Sequence, residues 1–159
     1  MPQATYIPLQ TLTLSSSASS VTFGSIPNTY RDLVLVVNFF PSSSGIEARM
    51  TINGDTGANY PLVYAGGDGA NPFSTTQTGN TYYNMNQTEN GSVGIYQFFD
   101  ANATDKHKTI LHRMMRPSAY TLMQAGRWAN TSRITTLLIT AAGGTWNSGT
   151  TMSLYGIAG

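Results

Sequence analysis

Side-chain oxygens and turn-forming glycines stand together in "TINGDTGANY", Thr51 to Tyr60, where Asn53, Asp55 and Asn59 lie among Gly54 and Gly57. Three chemistries compete for such a stretch: a cation, a sugar, or the loop's own backbone. A calcium loop needs several acidic oxygens and a closing Glu at fixed spacing, and that pattern is not met, because Asp55 is the lone acid. The bonding needs of the turn itself account for the residues better. Asn53-Gly54 favours a tight turn with positive φ, Asp55 can accept from nearby backbone N–H groups, and Gly57 relaxes a second bend. The expectation is a self-satisfied turn, and the same reasoning covers "GGDGAN" around Asp68.

His107 and His112 are the other candidate ligands, but their odd spacing on a strand sends them to opposite faces, and neither lies in a motif with Asp, Glu or Cys. No metal site and no cofactor is expected. No G-x-S-x-G, P-loop or G-x-G-x-x-G occurs, so nucleophile elbows and phosphate cradles lack sequence support. A glycosidase needs only two carboxylates brought together by the fold. Asp32, Glu47, Asp55, Asp68, Glu89, Asp100 and Asp105 are each isolated in sequence. The chain is therefore expected not to be an enzyme.

Aromatic residues offer a different chemistry. Tyr60, Tyr64, Tyr82, Tyr83, Trp128 and Trp146 would suit the C–H faces of sugar rings, with Asn and Asp reading the hydroxyls. Tyr and Trp are equally at home in strand packing and subunit interfaces, and no spacing here forces a shared exposed face, so packing is the favoured reading. Should a glycan or partner be bound, Asp68, Asn71, Tyr82, Tyr83 and Trp146 are the candidate contacts.

The composition says what surrounds these residues. Charged residues make up 9% of the 159, well below the usual share of about 25%. Thr, Ser, Asn and Gly fill the surface instead, which suits a protein packed into an assembly. Eight basic and seven acidic residues are scattered singly, leaving no basic stripe, so no nucleic-acid partner is expected. No apolar run approaches the roughly 18 residues of a spanning helix, so the chain is read as soluble, with no membrane partner. There is no Cys, and the four N-x-[ST] matches at Asn86, Asn90, Asn102 and Asn130 are no more than an Asn- and Thr-rich chain produces by chance.

The elements that must position these groups read as strands. Short runs of Thr, Val, Ile and Tyr are broken about every ten residues by Gly, Ser, Asn and Pro, the pattern of an all-β sandwich or barrel. "LQTLTL" (Leu9 to Leu14) and "SVTFG" (Ser20 to Gly24) flank a serine-rich loop and are expected to pair as a hairpin. "RDLVLVVNFF" (Arg31 to Phe40) reads as a core strand covered on both faces. In "IEARMTIN", Ile46, Ala48, Met50 and Ile52 point to one face, while Glu47, Arg49, Thr51 and Asn53 point to the other. Further strands are expected at "NYPLVYA", "GSVGIYQFFD", "KTILHRMM", "YTLMQAGRW", "RITTLLITA" and "TTMSLYGIA". Gly66 to Glu89 reads as a long loop or a pair of irregular edge strands, and as the interaction surface. Little or no helix is expected, since no segment carries a sustained 3.6 period. Residues 1–159 form one domain, in which residues 1–8, with Pro2 and Pro8, suit an extended N-terminal arm.

Taken in order, "LQTLTLSSSASSVTFGSIPNTYRDLVLVVN", "INGDTGANY", "GSVGIYQF", "GRWANTSRITTLLIT" and the terminal "LYGI" resemble a family of small tailed-bacteriophage virion proteins. That family includes capsid decoration, or cement, proteins and modules of tail or head fibres. The resemblance implies a non-enzymatic, jelly-roll-like antiparallel β-sandwich, commonly a homotrimer. It implies a place in the virion after synthesis in the host cytoplasm. The partners it implies are the major capsid protein and further copies of the chain. A fibre or tail-tip module would instead meet host glycans.

Overall fold

The computed structural model describes residues 4–157. Twelve strands carry the chain, and there is no helix among the described residues. They are β1 (Tyr6–Thr13), β2 (Ser20–Phe23), β3 (Asp32–Phe39), β4 (Ile46–Ile52), β5 (Leu62–Gly67), β6 (Pro72–Gln77), β7 (Tyr83–Thr88), β8 (Ser92–Phe99), β9 (Lys108–Arg116), β10 (Tyr120–Trp128), β11 (Leu137–Ala142) and β12 (Thr151–Ile157). Two antiparallel sheets make a β-sandwich. The larger runs β1-β12-β3-β8-β9-β10-β5-β6, and the smaller β2-β11-β4-β7.

Period-2 patterning explains why these sheets face one another. In β4 the residues Ile46, Ala48, Met50 and Ile52 are buried while their neighbours are half-exposed, as the alternation requires. They meet Leu33, Leu35, Val37 and Phe39 of β3 and Tyr96 and Phe98 of β8 in one continuous core, with Phe23, Leu137 and Ile139 from the rest of the small sheet. Each buried Val, Leu, Ile, Met or Phe side chain contributes roughly 1.5–3 kcal/mol by leaving water. Trp146 closes one end of this core. Its backbone bridges Ala18 and Pro41, and its ring lies 4.8 Å from that of Phe39.

Three expectations change. Leu9 to Leu14 and Ser20 to Gly24 do not form a hairpin: β1 pairs with β12 in the large sheet and β2 with β11 in the small one. The serine-rich loop between them crosses from one layer to the other, a span of about 10 Å. β3 is central but is covered by the small sheet on one face alone. Val36 and Asn38, on its other side, remain half-exposed. Gly66 to Glu89 keeps the second of its two readings, since it contains β6 and β7, the edge strands of different sheets. Residues 6–8 of the expected arm belong to β1 and pair with β12 at Tyr6–Ile157 and Pro8–Tyr155, while residues 1–3 lie outside the described residues.

Candidate functional site

The Asp55 turn meets its own bonding needs and braces its surroundings. Asn53 and Gly54 both have positive φ, 54° and 71°, and the Asp55 N–H donates to the Ile52 carbonyl at 2.9 Å. One Asp55 carboxylate oxygen accepts from the Gly57 N–H at 2.8 Å, and the other from Asn59 at 2.9 Å and Trp128 Nε1 at 2.7 Å. Burial alone would raise this carboxyl, but the bonds from Trp128, Gly57 and Asn59 outweigh it and hold the group below its usual range. Tyr60 Oη donates to the Asp55 carbonyl and accepts from the Ile52 N–H. Asn53 Oδ1 accepts from the Thr135 and Thr136 N–H groups. These oxygens serve the protein itself.

Asp68 and Asn71 share the β5–β6 turn, where Asp68 Oδ1 accepts from the N–H groups of Ala70 and Asn71. Tyr82 lies elsewhere, beneath the Arg49 guanidinium at 4.4 Å from its ring centroid. Tyr83 and Trp146 are fully buried and offer no ring face to a glycan or partner, so their place among the candidate contacts is corrected and they pack in the core instead. Each is a large apolar ring at an inward position, and the core takes it. The five candidate contacts do not converge.

The titratable groups are also spread out. Asp32 pairs with Arg31, Glu47 with Arg49, Asp100 with Lys106, and Glu89 with Arg116. Bonds from the Ser118 side chain and backbone hold the Glu89 carboxyl below its usual value. His107 precedes β9 and is exposed, whereas His112 is buried within that strand. His112 Nδ1 lies 3.1 Å from Tyr83 Oη, its ring is 4.5 Å from that of Tyr96, and burial pushes its pKa down to about 3. Lys108, also buried, donates through Nζ to the carbonyls of Ala103, Lys106 and Thr131. Among the described residues no group of three or more His, Asp or Glu stands together as a metal cage.

The outer face of the large sheet is a different kind of surface. Met123 stands opposite Arg113 of β9 and Ala65 of β5, and Ala125 stands opposite Leu111 and Val63. Met115 pairs with Val93, and Arg113 with Ile95. Val63, Val93, Leu111, Met115 and Met123 are all more than a third exposed, Met123 at 65%. Val63, Leu111 and Met123, with Ile95 and Arg113, line a depression of about 380 Å³. Arg113 and Arg127 are the cations on this side of the strands, and neither has a side-chain hydrogen bond or ion pair among the described residues. The acid on the same side is Asp32, which is buried against Arg31. Soluble surfaces scatter apolar side chains singly, and a contiguous apolar set marks a contact site.

These residues carried a signal in the sequence that naming a strand there did not use. "KTILHRMMR" has apolar residues at both strand parities, Ile110 and Met114 inward and Leu111 and Met115 outward. Apolar residues at both parities suit a strand covered on both faces, and the fold covers the inner face of β9 alone. Comparison with models of known protein families, and with curated protein sequences, finds no match to the chain.

Proposed function

We propose that this chain is a non-enzymatic structural protein of a tailed-phage virion, a capsid decoration protein that bridges neighbouring major capsid subunits. The observation that carries the reading is the outer face of β8, β9, β10 and β5, where Val63, Leu111, Met115 and Met123 stand exposed together. An isolated domain gains nothing from such a face, whereas burial in an assembly returns about 25 cal/mol per Å². The edges point the same way. β6 ends the large sheet without a single charged residue, so it lacks the lysines that usually blunt open strands.

We read the topology as a jelly roll with two additions. Strands β1, β12, β3 and β8 and strands β2, β11, β4 and β7 supply two four-stranded sheets linked by crossing connections. The hairpin β5–β6 is inserted between β4 and β7, and β9–β10 between β8 and β11, and both widen the large sheet. The insertions thus build most of the apolar face. The segments that resemble virion proteins, "IPNTYRDLVLV", "NGDTG" and "LYGI", support the same reading.

The mechanism is mass action: a protein that binds the assembled lattice and not its dissociated subunits stabilises the lattice without chemistry. Repetition around the particle multiplies weak contacts, and a homotrimer adds a further factor. Unpaired Arg113 and Arg127 call for carboxylates on the partner. Co-sedimentation with capsids stripped of the protein tests this. Wild type should bind saturably, and the double variant Leu111→Lys/Met123→Lys should stay folded and remain in the supernatant. Saturable binding by that double variant would contradict the reading.

A further inference from the structure

A second surface has a different chemistry. The inner faces of β5, β6 and β10 reach past the small sheet, whose edge strand β7 runs alongside them. Between the two is a cleft of about 350 Å³. One wall is aromatic: Phe73 meets Tyr64 edge-on at 6.2 Å and Tyr120 edge-on at 5.8 Å between ring centroids. The opposite wall is β7, with the amides of Asn84, Asn86 and Gln87.

These amides are oriented by internal bonds that leave other atoms free. Asn84 Oδ1 accepts from the Asn86 N–H at 2.7 Å, so its Nδ2 is left over. Asn86 Nδ2 donates to Gln124 Oε1 at 3.1 Å, leaving Asn86 Oδ1. Gln87 Oε1 accepts from Arg116 at 3.1 Å, leaving Nε2. Neither these atoms nor Tyr64 Oη make another hydrogen bond among the described residues. Gln124 is itself buried and anchored, donating to the Asn84 carbonyl at 2.9 Å.

The backbone is bent to make this arrangement. The β4–β7 register slips between Glu47 and Arg49, and Asn86 adopts a φ of 72° inside the strand. A left-handed residue in a strand is costly, and bulges of this kind re-aim side chains beside binding sites. The charge in the cleft is already neutralised, since Glu47 is bonded to Arg49 at 3.2 Å. A phosphate, a sulfate or a metal ion would find no matching charge there.

From these features we propose that the cleft is a binding site for a neutral saccharide. A pyranose ring offers an apolar C–H face to Tyr64 and Phe73 and hydroxyls, both donor and acceptor, to the unspent amide atoms. The site shares only Tyr64 with the lining of the outer-face depression and does not depend on that face's role.

The test is saturation-transfer NMR and calorimetry on the full chain with methyl glycosides of glucose, galactose, mannose and N-acetylglucosamine and their short oligomers. At least one sugar should bind. Asn86→Gly, which keeps the positive φ accessible, and Tyr64→Ala should each lower its affinity by about tenfold or more. Met123→Lys, on the far face, should leave binding unchanged. Thermal melts establish that each variant is folded. No signal from any of these sugars, or affinity undiminished in both cleft variants, would overturn the proposal. So would binding of an uncharged peptide of the capsid protein in place of every sugar.

Discussion

Trp128 donates its indole N–H to Asp55 across 2.7 Å, joining the end of β10 to the turn after β4. The bond is charge-assisted, and its donor is almost wholly buried. Asp55→Ala removes the acceptor for three donors at once. We expect a loss of about 2–3 kcal/mol in chemical denaturation, against about 1 kcal/mol for Asn59→Ala, which removes one. The carboxyl is held below its usual range, so its stabilising effect is present above that range and fades as the pH falls through it.

His112 gives stability a second pH dependence of known sign. Its folded pKa is pushed down to about 3 by burial between Tyr83 and Tyr96, against about 6.5 when unfolded. The unfolded chain therefore takes up the proton first, and stability falls as the pH drops from 6.5 towards 3. Between pH 7 and pH 5 the loss should be about 2 kcal/mol. Urea titrations at the two pH values should show it in wild type and not in His112→Phe.

Lys108 acts as a structural knot. Its ammonium satisfies the carbonyls of Ala103, Lys106 and Thr131 ahead of β9 and after β10. Lys108→Met keeps the aliphatic stem but strands three acceptors, and should cost about 3 kcal/mol by thermal unfolding. Lys106→Met, which loses an exposed pairing with Asp100 at 3.6 Å, should cost under about 1 kcal/mol.

The strained Asn86 separates backbone from side-chain effects. Asn86→Ala forces a Cβ without a compensating amide into the left-handed region and should lose about 1 kcal/mol more than Asn86→Gly. Equal melting temperatures for the two would argue that the bulge relaxes.

What was legible in the sequence follows from what period 2 encodes. The alternation of Ile46, Ala48, Met50 and Ile52 tells which face is buried, and the self-bonded Asp55 turn follows from Asn53-Gly54 and short-range geometry. The pattern does not say which strand lies alongside, so β1 and β2 looked like a hairpin although their partners are more than a hundred residues away. The apolar outer face was not visible for a related reason. Apolar residues at both parities, as in β3 and β9, signal two contacts per strand without saying whether the second is another layer of the same chain. Phe73, Asn84, Asn86 and Gln87 of the polar cleft fall in the Gly66 to Glu89 segment read as the interaction surface, but β4, β5 and β10 complete the cleft and a bulge at Asn86 aims it, and no local pattern displays either.

Oxidative footprinting of the methionines tests the proposed role of the outer face most directly. Met123 and Met115 are well exposed in the isolated chain, while Met50 and Met85 are fully buried and serve as internal references. Hydroxyl radicals should oxidise Met123 and Met115 readily in the free protein. In the intact virion both should be protected towards the level of Met50 and Met85. Oxidation of Met123 at the same rate in the particle as in solution would show that this face stays open to water, and would contradict the proposal that it contacts the shell.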